Sequence, residues 1–150
     1  MTAILGVALR PLKRHEDARG SLTEVLRSDW PEFRGFGQAI VTLNMPRVIR
    51  AWHWHERQTD TIVVIQGLAK VPLYDARAGS PTQGVVEEHL LGGSNFAARV
   101  VPPGVWHGYQ TVSREAAIIP NFPDRLYDAT KPDEGRAPHD AAGVPYEWSA

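Results

Sequence analysis

Residues 50–60 read Arg50-Ala51-Trp52-His53-Trp54-His55-Glu56-Arg57-Gln58-Thr59-Asp60 and are the part of the chain richest in histidine and tryptophan. Successive side chains of a β-strand point to opposite faces of the sheet. A strand here therefore places His53 and His55 on one face, with Trp52 and Trp54 on the other. Two imidazoles on one face suit a divalent ion, and Asp60, which begins the next predicted strand, adds a carboxylate.

A second motif, Pro102-x-Gly104-x-x-His107, follows about fifty residues later and puts another histidine just after a tight turn. The first motif continues from Asp60 through six residues to Gly67. Together the two motifs resemble those of the cupin superfamily, with Asp60 in the place of the usual Glu. The resemblance implies a jelly-roll barrel, also called a double-stranded β-helix, in which the three histidines and Asp60 meet in one pocket.

The rest of the chain also predicts an all-β fold. Short segments rich in β-branched residues alternate with breaks at Gly and Pro. No window of ten or more residues has the apolar periodicity of an amphipathic helix. The predicted strands are Ser21–Leu26, Ala39–Leu43, Thr61–Ile65, Ala69–Leu73, Val85–Leu91, Ala97–Val101 and Glu115–Ile119.

The chain length of 150 residues predicts a single domain over residues 1–150. From about residue 120 prolines and aspartates become frequent, which predicts an extended C-terminal segment that wraps the domain. We expect neither a signal peptide at the N-terminus nor a membrane span, because the apolar run Ile62–Ile65 is far too short to cross a bilayer.

The charge balance argues against nucleic acid as a partner, since 16 basic and 17 acidic side chains give a net charge of -1. The chain has no cysteine, which excludes disulfides, thiolate metal sites and a cysteine nucleophile. This composition fits the reducing cytosol, so we expect a cytoplasmic protein.

Five motifs in a fixed order identify a closer relationship. They are Asp17-x-Arg19-Gly20-x-Leu22-x-Glu24, Val48–His55, Asp75–Gly84, Pro102–Tyr109 and Asp140 with Pro145–Trp148. The set spans about residues 17–148 and resembles the dTDP-4-dehydrorhamnose 3,5-epimerase family, a cupin branch that acts on nucleotide-linked 4-keto-6-deoxy sugars. The resemblance implies a homodimeric isomerase that removes a proton next to the sugar carbonyl.

The resemblance also implies roles for individual residues. His53 matches the family's catalytic base, and Asp140 matches the carboxylate that orients this base. Arg19 and Arg50 match positions that hold the nucleotide diphosphate, and Glu24 matches a neighbour that contacts the nucleotide.

Two family positions carry different residues in this chain. Asp60 stands where the family has a Lys near the ketone, and Pro120 stands near the place of the family's Tyr, the general acid. Tyr109 shares strand parity with His107 and is the candidate for a substitute acid. Ordinary inversion at both carbons needs a base on one face and an acid on the other, so we expect incomplete 3,5-epimerisation.

These observations leave three hypotheses open. The first is an epimerase or isomerase of a nucleotide-linked keto-sugar, which requires no cofactor. The second is a metal-dependent cupin (a lyase, dioxygenase or isomerase) acting on another small carbonyl substrate, with Zn, Ni, Fe or Mn held by His53, His55, His107 and Asp60. The third is a catalytically inactive cupin that binds sugar nucleotides.

Overall fold

The structure, a computed structural model, describes residues 2–149 and contains strands but no helix in this range. The strands are β1 Ala8–Pro11, β2 Arg14–Asp17, β3 Gly20–Thr23, β4 Ile40–Asn44, β5 Ile49–Trp54, β6 Asp60–Val63, β7 Leu68–Asp75, β8 Val86–Gly92, β9 Ala97–Val101, β10 Val105–Thr111, β11 Ala117–Asn121 and β12 Gly135–Arg136. The prediction of an all-β fold is confirmed. Within the same range there is consequently no helix long and apolar enough to span a bilayer.

Two antiparallel sheets form the jelly roll. The first has the strand order β1-β9-β6-β11-β4 and the second the order β12-β5-β10-β7-β8, while β2 and β3 form a separate hairpin. Strands that are distant in sequence pair within both sheets, as in β1 with β9 and β5 with β10. This crossing of the chain between sheets brings β5, β6 and β10 together around the site.

The apolar core lies between the two sheets. The first sheet contributes Ile62 and Ile119, and the second contributes Val71 and Leu73, all of them at most 2% exposed. Burial of one such side chain contributes about 1.5–3 kcal/mol to folding. Ile62 and Ile119 also line the cavity described below, so the core borders the site directly.

The sequence located most of the barrel strands. Ala97–Val101 is predicted residue for residue, whereas Ser21–Leu26 is shorter in the structure and belongs to the hairpin rather than to the barrel. The strands β1, β2 and β12 were not predicted. The four residues of β2 are all exposed and charged or imidazole side chains, so they lack the apolar alternation that identifies a strand.

The C-terminal segment crosses the outer face of β5. Trp52 is fully buried beneath Tyr146 and Trp148, with ring centroids 5.7 and 5.4 Å away. Lys70 Nζ lies 5.8 and 5.7 Å from the centres of the same two C-terminal rings. The segment follows β11, and Pro120 itself pairs with Val41 inside the sheet.

Candidate active site

A cavity of about 700 Å³ opens between the two sheets. His53 comes from β5, Asp60 begins β6 and His107 lies on β10, while His55 follows the end of β5. His107 is paired with His53 across the β5–β10 ladder, and its ring centre is 6.4 Å from that of His53 and 5.8 Å from that of His55. The three imidazoles that the sequence predicted to converge therefore share one cavity.

Arg50 also lines this cavity, although simple alternation along a strand would put it on the face opposite His53. The reason is an irregularity in the β5–β10 ladder, where the register shifts between His107 and Tyr109. Arg50 Nε donates a hydrogen bond of 2.9 Å to Oδ1 of the buried Asn44. Arg50 is thereby anchored at the cavity wall.

The carboxylate beside His53 is Glu134, whereas the family resemblance had placed Asp140 there. His53 Nδ1 lies 3.1 Å from Glu134 Oε1. Asp140 is exposed and makes no side-chain hydrogen bond within residues 2–149. Since a carboxylate oxygen accepts, the proton sits on Nδ1 and the lone pair of Nε2 stays available. Burial and the nearby His107 lower the pKa of His53, which favours the neutral ring.

Asp60 sits at the bottom of the cavity, 1% exposed, between two imidazoles. Its Oδ2 is 3.1 Å from Nε2 of His55 and 3.1 Å from Nε2 of His107. Gln58 Nε2 donates to the other oxygen at 2.8 Å. Burial alone would raise the pKa of Asp60, but the hydrogen bonds from His107 and His55 outweigh it and hold that pKa well below its usual range.

The two imidazoles that contact Asp60 are oriented from behind by backbone carbonyls. Nδ1 of His55 is 2.5 Å from the Asp133 oxygen, and Nδ1 of His107 is 3.1 Å from the Val105 oxygen. Burial lowers the pKa of His55, but the hydrogen bond and charge of Asp60 together with the Asp133 carbonyl outweigh it, so the net shift is upward. Asp60 is thus an ionised carboxylate in contact with imidazole N–H groups.

One cluster in residues 2–149 has the donor set of a metal site. His55, Asp60 and His107 each offer one ligand atom, and these atoms lie within 4.8 Å of one another. His53, which was expected to bind the ion together with His55 and His107, with Asp60 as a weaker fourth ligand, is outside this cluster. Carbonyl acceptors on Nδ1 are also the usual outer partners of metal-binding histidines. The residues present therefore fit a divalent ion chemically.

Arg19 and Glu24 do not reach the cavity. Arg19 lies on the β2–β3 hairpin, with its side chain 89% exposed and 2.6 Å from Asp17. Glu24 pairs with Arg27 at 2.6 Å. The cationic groups at the cavity besides Arg50 are instead Arg57, Arg125, Lys131 and Arg136.

Tyr109 lines the cavity on the same sheet as the histidines and packs against the core. The facing wall, from β4, β6 and β11, carries Ile40, Ile62 and Ile119 together with the polar side chains of Thr42, Asp60 and Asn121. Pro120 offers no proton at the position of the family's Tyr. Among the residues that the structure describes, the phenols at the cavity are Tyr109 and Tyr127.

The sequence did not reveal Gln58, Tyr127, Asp133 or Glu134 as site residues. The last three lie in the C-terminal segment, where the many prolines and aspartates indicate only extended chain. The sole local signal is Gly135, which allows the backbone to approach the ring of Trp54 and so lets β12 pair with β5.

Comparisons with known proteins point to a single family. The profile of the family described as dTDP-4-dehydrorhamnose 3,5-epimerase matches residues 1–148. A probable low-salt glycan biosynthesis epimerase, Agl13 of Haloferax volcanii, is 39% identical over 152 residues, covering 100% of this chain and 97% of that protein. The spore coat polysaccharide biosynthesis protein SpsL of Bacillus subtilis is 35% identical over 144 residues, covering 96% and 95%.

A solved structure extends the likeness to the fold. The dTDP sugar isomerase of Desulfovibrio desulfuricans superimposes with a TM-score of 0.91 at 32% identity, covering 97% of this chain and 92% of that one. The jelly-roll prediction and the prediction of an epimerase-type enzyme are both confirmed. A match along almost the whole chain, together with a histidine and carboxylate pair facing the cavity between the sheets, shows that this chain belongs to the dTDP-4-dehydrorhamnose 3,5-epimerase family.

Proposed function

We propose that this protein epimerises a nucleotide-linked 4-keto-6-deoxy sugar and that His53 is the base. The observation that carries the proposal is the contact of 3.1 Å between His53 Nδ1 and Glu134, which leaves Nε2 free at the cavity. A neutral imidazole with its lone pair facing the substrate can remove the acidic proton next to a ketone. The resulting enolate then takes a proton back at the same carbon from the opposite face, which inverts that centre.

The cations at the cavity support binding of the diphosphate. Arg50, Arg57, Arg125 and Lys131 line the same space as His53, and guanidinium groups bind phosphate oxygens through paired hydrogen bonds. The solved relative is named a dTDP sugar isomerase, which favours thymidine as the nucleoside. The nucleotide-binding roles of Arg19 and Glu24 stay predictions.

The candidate general acid is less favourably placed than the base. We propose Tyr109 for this role, because its phenol lines the cavity and Pro120 cannot donate a proton. Tyr109 shares a sheet with His53, so return of the proton from the far face is inefficient, and loss of a positioned acid typically costs about 10²–10⁴-fold in rate. Exchange of substrate protons with solvent should therefore exceed net inversion.

The test is NMR of dTDP-4-dehydro-6-deoxyglucose in D₂O with stoichiometric enzyme. We expect deuterium to enter next to the carbonyl, and we expect His53→Gln to slow this exchange by about 10²–10⁴-fold. His15→Gln, which changes an exposed hairpin histidine, is the matched control. Unchanged exchange in His53→Gln would exclude His53 as the base, and fast inversion at both carbons would mean that the acid is misassigned.

The second candidate is a metal-dependent cupin reaction on another carbonyl substrate, favoured by the cluster of His55, Asp60 and His107. These three residues would hold Zn, Ni, Fe or Mn, and the bound ion would polarise a carbonyl as a Lewis acid. Metal analysis of the purified protein distinguishes the candidates. Stoichiometric metal that disappears in His55→Gln supports this second reaction, whereas equal metal content in the wild type and the variant rejects it.

We also propose a homodimer. The strand β4 is an edge of the first sheet, and its outward side chains Val41, Leu43 and the adjacent Met45 are 66%, 58% and 56% exposed. An apolar edge strand is normally covered, and a second copy of the chain is the covering partner that the family resemblance implies. A cytoplasmic location likewise stays a prediction, supported by the absence of cysteine from the sequence.

A further inference from the structure

We propose that the four residues Asp133–Arg136, here called the clasp, are a positioning device that sets the orientation of both His53 and His55. The clasp lies outside every motif of the sequence and belongs to the C-terminal segment. It contains the short strand β12, which pairs with the end of β5 through Gly135 opposite Trp54 and Arg136 opposite His53. The effect of the clasp on catalysis rests on the proposed function, whereas its effect on the orientation of the two imidazole rings does not.

Asp133 attaches the clasp to the loop between β5 and β6. Its Oδ1 accepts the backbone N–H of Glu56, and its Oδ2 accepts those of Arg57 and Gln58, each at 3.0 Å. The backbone oxygen of the same residue lies 2.5 Å from Nδ1 of His55. One residue therefore holds the start of the loop and the imidazole that precedes it.

Glu134 extends the same arrangement to the second imidazole. Its Oε1 is 3.1 Å from Nδ1 of His53, and its Oε2 accepts from Arg136 at 2.8 Å. Burial raises the pKa of Glu134, but the hydrogen bond and charge of Arg136 and the nearby imidazoles lower it below its usual value, which favours the charged carboxylate. The side chain of Glu134 is only 20% exposed, so few water molecules compete for its oxygens.

The contact of the Asp133 oxygen with His55 and that of the Glu134 carboxylate with His53 have the same physical effect. An acceptor on Nδ1 places the proton there and aligns the ring, so that Nε2 points into the cavity. For His53 this gives the lone pair required of a base, and for His55 it gives the contact with Asp60. Removal of such outer partners typically costs about 10–100-fold in activity, because the ring that acts on the substrate is less often in the productive orientation.

The experiment compares Glu134→Ala, Glu134→Gln and Asp133→Asn with the wild type in steady-state kinetics. We expect Glu134→Ala to lower kcat by about 10–100-fold with little change in KM. Glu134→Gln retains an acceptor oxygen and should recover part of the loss. Asp133→Asn has one acceptor oxygen for three N–H groups and should lower kcat by about 10-fold. The control is Glu115→Gln, an exposed residue far from the clasp in sequence.

A second measurement does not depend on catalysis. Two-bond ¹H–¹⁵N spectra of protein labelled at the histidine ring nitrogens report which nitrogen carries the proton, at one fixed pH. We expect His53 to be protonated at Nδ1 in the wild type and to lose this preference in Glu134→Ala. The inference is overturned if the wild-type proton is on Nε2, or if Glu134→Ala changes neither the ring spectrum nor kcat.

Asp140→Asn decides between the two carboxylates. If it shifts the His53 signals and Glu134→Ala does not, the clasp has no positioning role. If the spectra respond as expected but neither the wild type nor any variant turns over the keto-sugar, the positioning role of the clasp is supported and the proposed reaction is rejected. The two proposals are therefore separable in the same set of proteins.

Discussion

The replacement of Gly135 by alanine tests how closely β12 must approach the second sheet. A Cβ atom on Gly135 would lie 1.9 Å from Trp54 Cε2 and 2.3 Å from both Cζ2 and Nε1 of the same ring. Carbon atoms pack at about 3.5–4.0 Å, so either the ring or the strand has to move by about 1.5–2 Å. Trp54 cannot easily retreat, because it stacks on Trp106 with 4.0 Å between ring centres and 4° between planes.

The cost of forcing an extra carbon into a packed contact is typically about 1–3 kcal/mol. For a chain of this length we expect the melting temperature of Gly135→Ala to fall by about 2–10 °C. Thermal unfolding followed by circular dichroism measures this change. Near-ultraviolet dichroism should change as well, since the Trp54–Trp106 stack is disturbed.

The control is the double variant Trp54→Leu/Gly135→Ala, which removes the ring that the new methyl group meets. The two penalties should not add, and the coupling free energy should be about 0.5–3 kcal/mol. The backbone of Gly135 is not in the left-handed region, so the alanine tests the steric contact alone. A melting temperature equal to that of the wild type, or strictly additive penalties, would refute this account of the contact.

Three further outcomes follow from the structure. Asp75→Asn should lower the free energy of unfolding by about 2–3 kcal/mol near neutral pH, since the buried carboxylate accepts bonds from Arg77 and from two hydroxyls. Arg77 holds the pKa of Asp75 far below its usual range, so this stabilisation is complete above about pH 4 and is lost as the pH falls. Urea titrations should therefore show that the difference in unfolding free energy between wild type and Asp75→Asn becomes smaller in acid. Trp52→Ala, at a fully buried site, should cost about 3–5 kcal/mol by chemical denaturation. Val41→Asp should convert the proposed dimer to monomer in light scattering, and an unchanged mass would exclude β4 from the interface.

The barrel was predictable because its strands carry their own signal. Ala97–Val101 is buried along its whole length and reads as an unbroken apolar run, which short central strands show. The exposed hairpin strand Arg14–Asp17 and the two-residue β12 carry no such signal, since they are held by pairing with other strands. The sequence therefore identifies the strands that form the core, but it does not identify exposed strands such as β2 and β12, which depend on pairing with a neighbour.

The same distinction applies to the site: its residues on strands could be predicted, whereas those in the irregular C-terminal segment could not. His53, His55 and His107 lie on strands or at their ends, and strand parity brings them to one cavity without knowledge of the loops. Glu134 reaches His53 across 81 positions of sequence through an irregular segment, and no local rule predicts that approach. Asp140 was favoured by its match to a motif, and motif order alone does not report which carboxylate of a wrapped segment faces the ring.

Asp60, the unusual carboxylate of the first motif, is best understood together with its neighbour His55. Asp60 reverses the charge of the family's Lys, which taken alone would leave a buried carboxylate beside a developing enolate and raise its energy. In the structure this carboxylate is 3.1 Å from Nε2 of His55. An imidazole with a carbonyl on Nδ1 and a carboxylate on Nε2 is favoured in its charged form, so the raised pKa of His55 acts to neutralise the charge of Asp60. The pair is neutral where the lysine carries one positive charge, so the buried aspartate is compensated but the cation that would stabilise an enolate is not replaced.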